Sequence, residues 1–391
     1  MNDLNIIVGD CREEMAKLSE QSVQCVVTSP PYWGQRDYGV NGMIGLEPDV
    51  HEWIDSMVEV FRGVWRVLRD DGTVWLNLGD KYAAEKNLLG LPWRMAFALQ
   101  ADGWYLRRDI IWHKPNPMPE SATDRPSTAH EYIFLLTKQP HYFYDADAVK
   151  APLSEVSFNR LTQSNFENQK GGAKDYSETG QKGSSARKTV NNLREKLIAS
   201  EKWKTRYEGW AARDKSIGAN LRSVWKIATQ PFGGAHYATY PEKLVEPCIK
   251  AGTSERGECP ACGAPWERVV DKQRLTRPEL PKNDPRYRPS TYQGAYGEIN
   301  GKNDAGYTKR TSLGWQPTCE HKREPIPQTV LDPFSGAGTT GLVAMRLGRS
   351  YTGIELNPEY AAMSRKRIVE RVGATSPDAL KPDEQAQGRL I

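Results

Sequence analysis

The segment "TVLDPFSGAGTTG", residues 329–341, constrains the fold more than any other. It reads as a strand, a tight glycine loop and the opening of a helix, with Gly336, Gly338 and Gly341 spaced as G-x-G-x-x-G. Glu355 follows 19 residues after Gly336, at the end of "YTGIE". Glycines so spaced let the backbone approach a nucleotide-like ligand, and an acid on the next strand suits ribose hydroxyls. Only 60 residues follow Leu331 in this chain of 391, too few to complete a doubly wound sheet after its first strand. The missing strands are expected from the first 150 residues, so the sheet is permuted relative to a dinucleotide-binding fold.

Those 150 residues do read as alternating strands and helices. "NIIVGD", "VQCVVTSPP", "TVWLNLGD", "RRDIIWHK" and "EYIFLLTK" are short apolar or β-branched runs ending in loop signals. Between them, Trp53, Met57, Val60, Val64 and Leu68 recur at three- and four-residue spacing, which predicts an amphipathic helix closed by Gly72. The alternation argues for an α/β sheet. No apolar run approaches the roughly 20 residues that cross a bilayer. "MNDLNIIVGDCREEM" has acids where a signal peptide needs a basic start. A cytoplasmic location is therefore expected, with no membrane partner.

The character changes from about 151. Between Ala151 and Lys226 there are 15 Lys or Arg against 8 Asp or Glu, while the whole chain carries a formal charge of only +4. Much of this stretch is polar and Gly-rich, as in "NQKGGAKDYSETGQKGSSARK", and predicts a mobile loop. Trp203, Tyr207 and Trp210 then share one helical face, with Lys202, Lys204 and Arg206 interleaved. The aromatics suit a buried face, and the cations suit phosphate contacts. A second insertion, 251–328, is irregular and rich in proline and glycine, and 374–391 reads as a flexible tail.

In that second insertion, Cys259-Pro-Ala-Cys262-Gly is a knuckle-like pair, and Cys319-Glu-His321 follows 56 residues after its glycine. Three Cys and one His suit tetrahedral structural zinc, which would staple a segment poor in apolar residues. Free thiols are the alternative.

"CVVTSPPYWG" poses the remaining question, since two prolines end the strand and hold a rigid, aromatic-rimmed loop. Ser-Pro-Pro-Tyr early in the chain, with Asp-Pro-Phe-Ser-Gly-Ala-Gly-Thr-Thr near its end, resembles the amino-methylating DNA methyltransferases, and the motif order resembles their β class. The resemblance covers roughly 1–150 and 227–370. It implies a class I, Rossmann-like α/β methyltransferase fold, circularly permuted. Residues 1–150 would form the catalytic part, and 227–250 with 329–373 the cofactor-binding part. Residues 151–226 would form a target-recognition insertion on double-stranded DNA.

The resemblance assigns S-adenosylmethionine as cofactor, held by Asp10 near its adenine, by Asp332, Phe334, Gly336, Gly338 and Thr339 around the glycine loop, and by Glu355 at the ribose. His236, in "GAHYATYPEKLVEPCI", would help close that pocket. Ser29, Pro30, Pro31 and Tyr32 form the catalytic loop. An exocyclic amine is a poor nucleophile because its lone pair is delocalised into the ring. Acceptors on its N–H groups, the Ser29 hydroxyl and the Pro30 carbonyl, would localise that pair, and Tyr32 would stack on the extruded base. Within the family, serine before Pro-Pro-Tyr leans toward cytosine N4 and aspartate toward adenine N6. Similar cysteine-bearing insertions occur in some relatives.

Other classes remain in view. An NAD-dependent dehydrogenase shares the glycine fingerprint, but S-adenosylmethionine lacks a pyrophosphate and carries an ammonium that acids such as Asp332 suit. A DNA-binding module without catalysis, or an enzyme acting on RNA or protein amines, would keep parts of the pattern. A C5-cytosine enzyme needs a nucleophilic cysteine after proline, but Cys248 in "EKLVEPCIKAG" lies on an apolar helical stripe and reads as core. The sequence leaves a homodimer, the recognition site and an accompanying nuclease open.

Overall fold

The computed structural model describes residues 2–35, 39–40, 42–151, 220–230, 239–275 and 307–373. The chain divides into two compact units, one of residues 1–149, 221–267 and 315–391, the other of 150–220 and 268–314. The first is built on an eight-stranded sheet. Its strands are β1 (Leu4–Val8), β2 (Val23–Thr28), β3 (Leu68–Leu78), β4 (Tyr105–His113), β5 (His130–Thr137), β6 (Val224–Lys226), β9 (Thr329–Asp332) and β10 (Ser350–Glu355). Their order is β1-β10-β9-β2-β3-β5-β4-β6. Only β5 runs against its neighbours.

The order shows the permutation directly. β1, from the start of the chain, lies parallel to β10 with Leu4 opposite Tyr351 and Val8 opposite Glu355. β2 pairs with β9, Cys25 opposite Val330 and Val26 opposite Leu331. Strands that are central and buried on both faces need no polar alternation, which is why "VQCVVT" is buried at all six positions.

Helices cover both faces. α1 (Cys11–Lys17), α2 (Val50–Val67) and α3 (Leu91–Ala101) pack on one, around Met15, Trp53, Met57, Phe61 and Met95. α4 (Glu242–Gly252), α5 (Thr339–Arg346) and α6 (Pro358–Val372) pack on the other, around Val245, Ile249, Val343 and Ile368. Asp49 caps α2, its carboxylate accepting from His51 N at 2.6 Å. The apolar stripe of α2 buries as its spacing predicts, but the helix stops at Val67. Leu68 is the first residue of β3, and Gly72 lies within that strand. Leu68 is fully buried in the same core, so periodicity alone cannot say which element carries it.

The segment expected to be irregular contains order. β7 (Trp266–Leu275) and β8 (Tyr307–Pro317) form a separate two-stranded sheet. Their charged residues hide the strand period. Trp203, Tyr207 and Trp210, the bulk of the basic stretch and the C-terminal tail lie outside the described residues.

Candidate active site

In a doubly wound sheet, ligands gather at the carboxyl ends of the strands where the winding reverses. Here that point lies between β9 and β2. Ser29-Pro30-Pro31-Tyr32 leaves the end of β2, and Pro333-Phe334-Ser335-Gly336 leaves the end of β9. Both loops open on one cavity of about 860 Å³. The four residues Ser29 to Tyr32 line it. So do Asp10, Phe334, Gly336, Thr339 and Glu355 from the glycine-loop side. His236 lies outside the described residues.

Asp332 is placed beneath this cavity rather than on its wall. It is 1% exposed, and its carboxylate accepts from Thr28 Oγ1 at 2.7 Å, Thr340 Oγ1 at 2.8 Å, Tyr240 OH at 3.1 Å and Phe334 N at 3.1 Å. Burial pushes its carboxyl above the ordinary range against those hydrogen bonds. The residue ties β2, β9 and α5 together at the point where both functional loops begin.

The glycine loop closes on Glu355. Its Oε2 accepts from Gly336 N at 2.7 Å and its Oε1 from Asn357 N at 2.9 Å. Burial raises this carboxyl too. Gly336 and Gly338 have φ of 50° and 71°, a region that favours glycine. A Cβ on Gly338 would come within 2.7 Å of Ser364 Cβ in α6. Across the cavity, Asp10 caps α1 by accepting from Arg12 N at 2.8 Å. The Arg12 guanidinium grips the same carboxylate and holds its pKa below the usual value.

The Ser29–Tyr32 loop sits in a polar network that sequence reasoning missed. Ser29 Oγ lies 3.2 Å from Tyr32 OH, which donates to Glu131 Oε2 at 3.0 Å. Asn77 Nδ2 reaches Glu131 Oε2 at 2.9 Å, Tyr32 OH at 3.0 Å and Ser29 Oγ at 3.3 Å. Lys114 pairs with the other oxygen of Glu131 while lying over the Trp112 ring. One edge of Tyr32 rests on Gly79, where a Cβ would come within 2.9 Å of the ring. The signal was present: Asn77 interrupts "VWLNL" on β3, and Glu131 precedes the apolar run of β5. A polar side chain on a central strand needs a partner, and these partner each other.

Cys259, Cys262, Cys319 and His321 also come together, their ligating atoms all within 4.8 Å of one another. Cys259 N–H donates to Ala264 O and Gly263 N–H to Cys259 O, the tight turn its Gly263 (φ 68°) allows. Backbone N–H groups of Ala261 and Cys262 lower the Cys259 thiol. Cys248 is 1% exposed and its thiol donates to Leu244 O, with burial pushing it well up, as expected of a core residue.

Comparison with known proteins agrees with this geometry. A family model described as DNA methylase matches residues 23–259 and 324–366. The type II methyltransferase M.SmaI of Serratia marcescens is 32% identical, over 95% of this chain and 92% of its own length. M.SfiI of Streptomyces fimbriatus, also a type II methyltransferase, is 28% identical over 92% of this chain and 89% of its own. Among solved structures, the PvuII DNA methyltransferase, described as cytosine-N4-specific, superposes with a TM-score of 0.50 at 16% identity, covering 95% of this chain and 92% of its own. That likeness is one of fold: a class I methyltransferase sheet with helices on both faces.

Proposed function

This chain belongs to the N6/N4 DNA methylase family, and from that premise we propose that it transfers a methyl group from S-adenosylmethionine to an exocyclic amine of a base extruded from duplex DNA, cytosine N4 in preference to adenine N6. The observation that carries the reading is the meeting of the Ser29–Tyr32 loop and the Gly336–Glu355 loop on one cavity. The donor set fits the cofactor. Glu355 offers a carboxylate to ribose hydroxyls, Phe334 an aromatic wall, and Gly336 a backbone turn without a side chain in the way. When bound, the cofactor supplies a methyl group on a positively charged sulfur.

The chain's own residues do the rest. Ser29 Oγ and the Pro30 carbonyl accept from the target amine and localise its lone pair, held in place by two prolines. Tyr32 presents to the cavity the part of its ring that does not rest on Gly79, a surface on which a base stacks. Asp332 fixes both loops from below. The serine lean within the family supports cytosine N4. The basic excess of 151–226 supports a DNA-recognition role for that insertion, and DNA as substrate places the work in the cytoplasm of a bacterium or a phage-infected host.

The Cys259, Cys262, Cys319 and His321 cluster would hold structural zinc, since four soft ligands so close together match a closed tetrahedral site.

Nucleoside mass spectrometry on DNA incubated with the protein and labelled S-adenosylmethionine tests the assignment. Label in N4-methylcytosine is expected and should appear roughly 10²-fold more slowly in Ser29→Ala. Label in N6-methyladenine would keep the mechanism and overturn the base. Cofactor binding without labelled nucleosides would overturn the DNA substrate, and nicotinamide binding instead would return the dehydrogenase reading.

A further inference from the structure

The polar network behind the catalytic loop has a direction that follows from counting hydrogens. An ionised Glu131 has none to give, so the Tyr32 hydroxyl donates to its Oε2 at 3.0 Å. Having spent its hydrogen, Tyr32 OH can only accept from Ser29 Oγ at 3.2 Å. The two hydrogens of Asn77 Nδ2 go to its nearer acceptors, Glu131 at 2.9 Å and Tyr32 at 3.0 Å, rather than to Ser29 at 3.3 Å. Ser29 Oγ is then left with its lone pairs toward the cavity, the state needed to accept from an amine. Lys114 pairs with the other Glu131 oxygen, leaving Oε2 to Tyr32 and Asn77.

We propose that Glu131 is the positioning residue that sets Ser29 as an acceptor and, through Tyr32, takes up the proton that the target amine releases on methylation. This rests on the methyltransferase reading above. The step balances. The amine lone pair forms the N–C bond to the methyl carbon of the sulfonium donor, and the C–S pair returns to sulfur, leaving a neutral thioether. The cationic amine passes a proton to Ser29 Oγ, Ser29 passes its own to Tyr32, and Tyr32 passes its own to Glu131. Both hydroxyls end as they began, and Glu131 becomes a neutral acid. Burial and the Glu131 charge raise the Tyr32 phenol well above its ordinary value, so at rest the hydroxyl keeps its proton. Glu131 and Lys114 both line the cavity, from which the proton can leave to water.

The test compares wild type, Glu131→Gln, Tyr32→Phe and the double variant in single-turnover methylation of unmodified genomic DNA. Calorimetric S-adenosylmethionine affinity and thermal melts serve as controls for folding. Each single variant should lose roughly 10²-fold in the transfer rate, the scale of a removed proton acceptor. Cofactor affinity should stay within about twofold. The double variant should be no slower than the slower single by more than about threefold, because both cut one chain. In the cofactor-free protein, the ¹³Cζ resonance of Tyr32, assigned by its absence in Tyr32→Phe, should move in Glu131→Gln as the carboxylate acceptor disappears. Transfer by Glu131→Gln within about threefold of wild type, multiplying losses in the double variant, or an unmoved resonance would each overturn the proposal. Should Glu131→Gln not fold, a wild-type rate in Tyr32→Phe overturns it alone. A wild type that labels no nucleoside overturns the functional reading itself, a different result from an active wild type with indifferent variants.

Discussion

Asp332 illustrates how a residue singled out by its motif is placed by physics the sequence does not show. "DPF" before a glycine loop marks an acid at a strand end, but only the fold brings Thr28, Tyr240 and Thr340 around it. Ser29 to Tyr32, Gly336 and Glu355 were legible because each belongs to a contiguous motif. Asn77 and Glu131 showed only as polar residues beside apolar runs, and their meeting with Lys114 depends on β3, β4 and β5 lying side by side. The raised carboxyl of Asp332 has a measurable consequence. The folded protein binds its proton more tightly than the unfolded chain, so the stability it contributes falls as pH rises from its ordinary 3.8 toward the raised value. In Asp332→Asn that slope should vanish. The gap in denaturation free energy between wild type and variant should then change with pH across the acid range, by up to about 1.4 kcal/mol per pH unit, and a gap constant with pH would contradict it. Ser29→Ala should leave cofactor affinity unchanged and slow transfer by roughly 10²-fold, the effect of one lost acceptor at the reacting group.

Among the elements, α5 shows where packing rather than propensity sets the sequence. Gly341 is the third residue of this helix, where alanine would ordinarily be the better helix former. Yet a Cβ there would stand 2.5 Å from Tyr351 Cε1 and 2.7 Å from Ile368 Cδ1, between β10 and α6. Gly341→Ala is therefore expected to destabilise by roughly 1–2 kcal/mol despite the gain in propensity, read as a lower urea midpoint with unchanged slope. A midpoint that rose would show that α5 has room to shift. The strands and α2 were readable from their periods, since apolar runs and three- and four-residue spacing survive any tertiary context. β7 and β8 were not, because charged residues interrupt the apolar alternation in both strands.

At the scale of the whole molecule, the Cys259, Cys262, Cys319 and His321 cluster joins two stretches of chain that are more than 50 residues apart. If it holds zinc, purified protein should contain about one equivalent, and chelation should lower the melting temperature of the wild type but not of Cys319→Ser. Metal content near zero in freshly purified wild type would leave four free thiol and imidazole groups instead. The permuted sheet was the most secure whole-molecule expectation, because strand counting on either side of the glycine loop admits few alternatives.

That permutation also dictates a timetable. β9 and β10 are the last strands of the sheet to be synthesised, yet β9 lies in its middle and β10 separates it from β1. As the chain leaves the ribosome, β1 has no sheet neighbour and β2 exposes an unpaired edge until residues 329–355 emerge. The Ser29–Tyr32 loop is made first and stays without the glycine loop until residues 329–355 follow. An interrupted chain thus carries Ser-Pro-Pro-Tyr but no glycine loop, so the two loops that share the cavity meet only once residues 329–355 have been made.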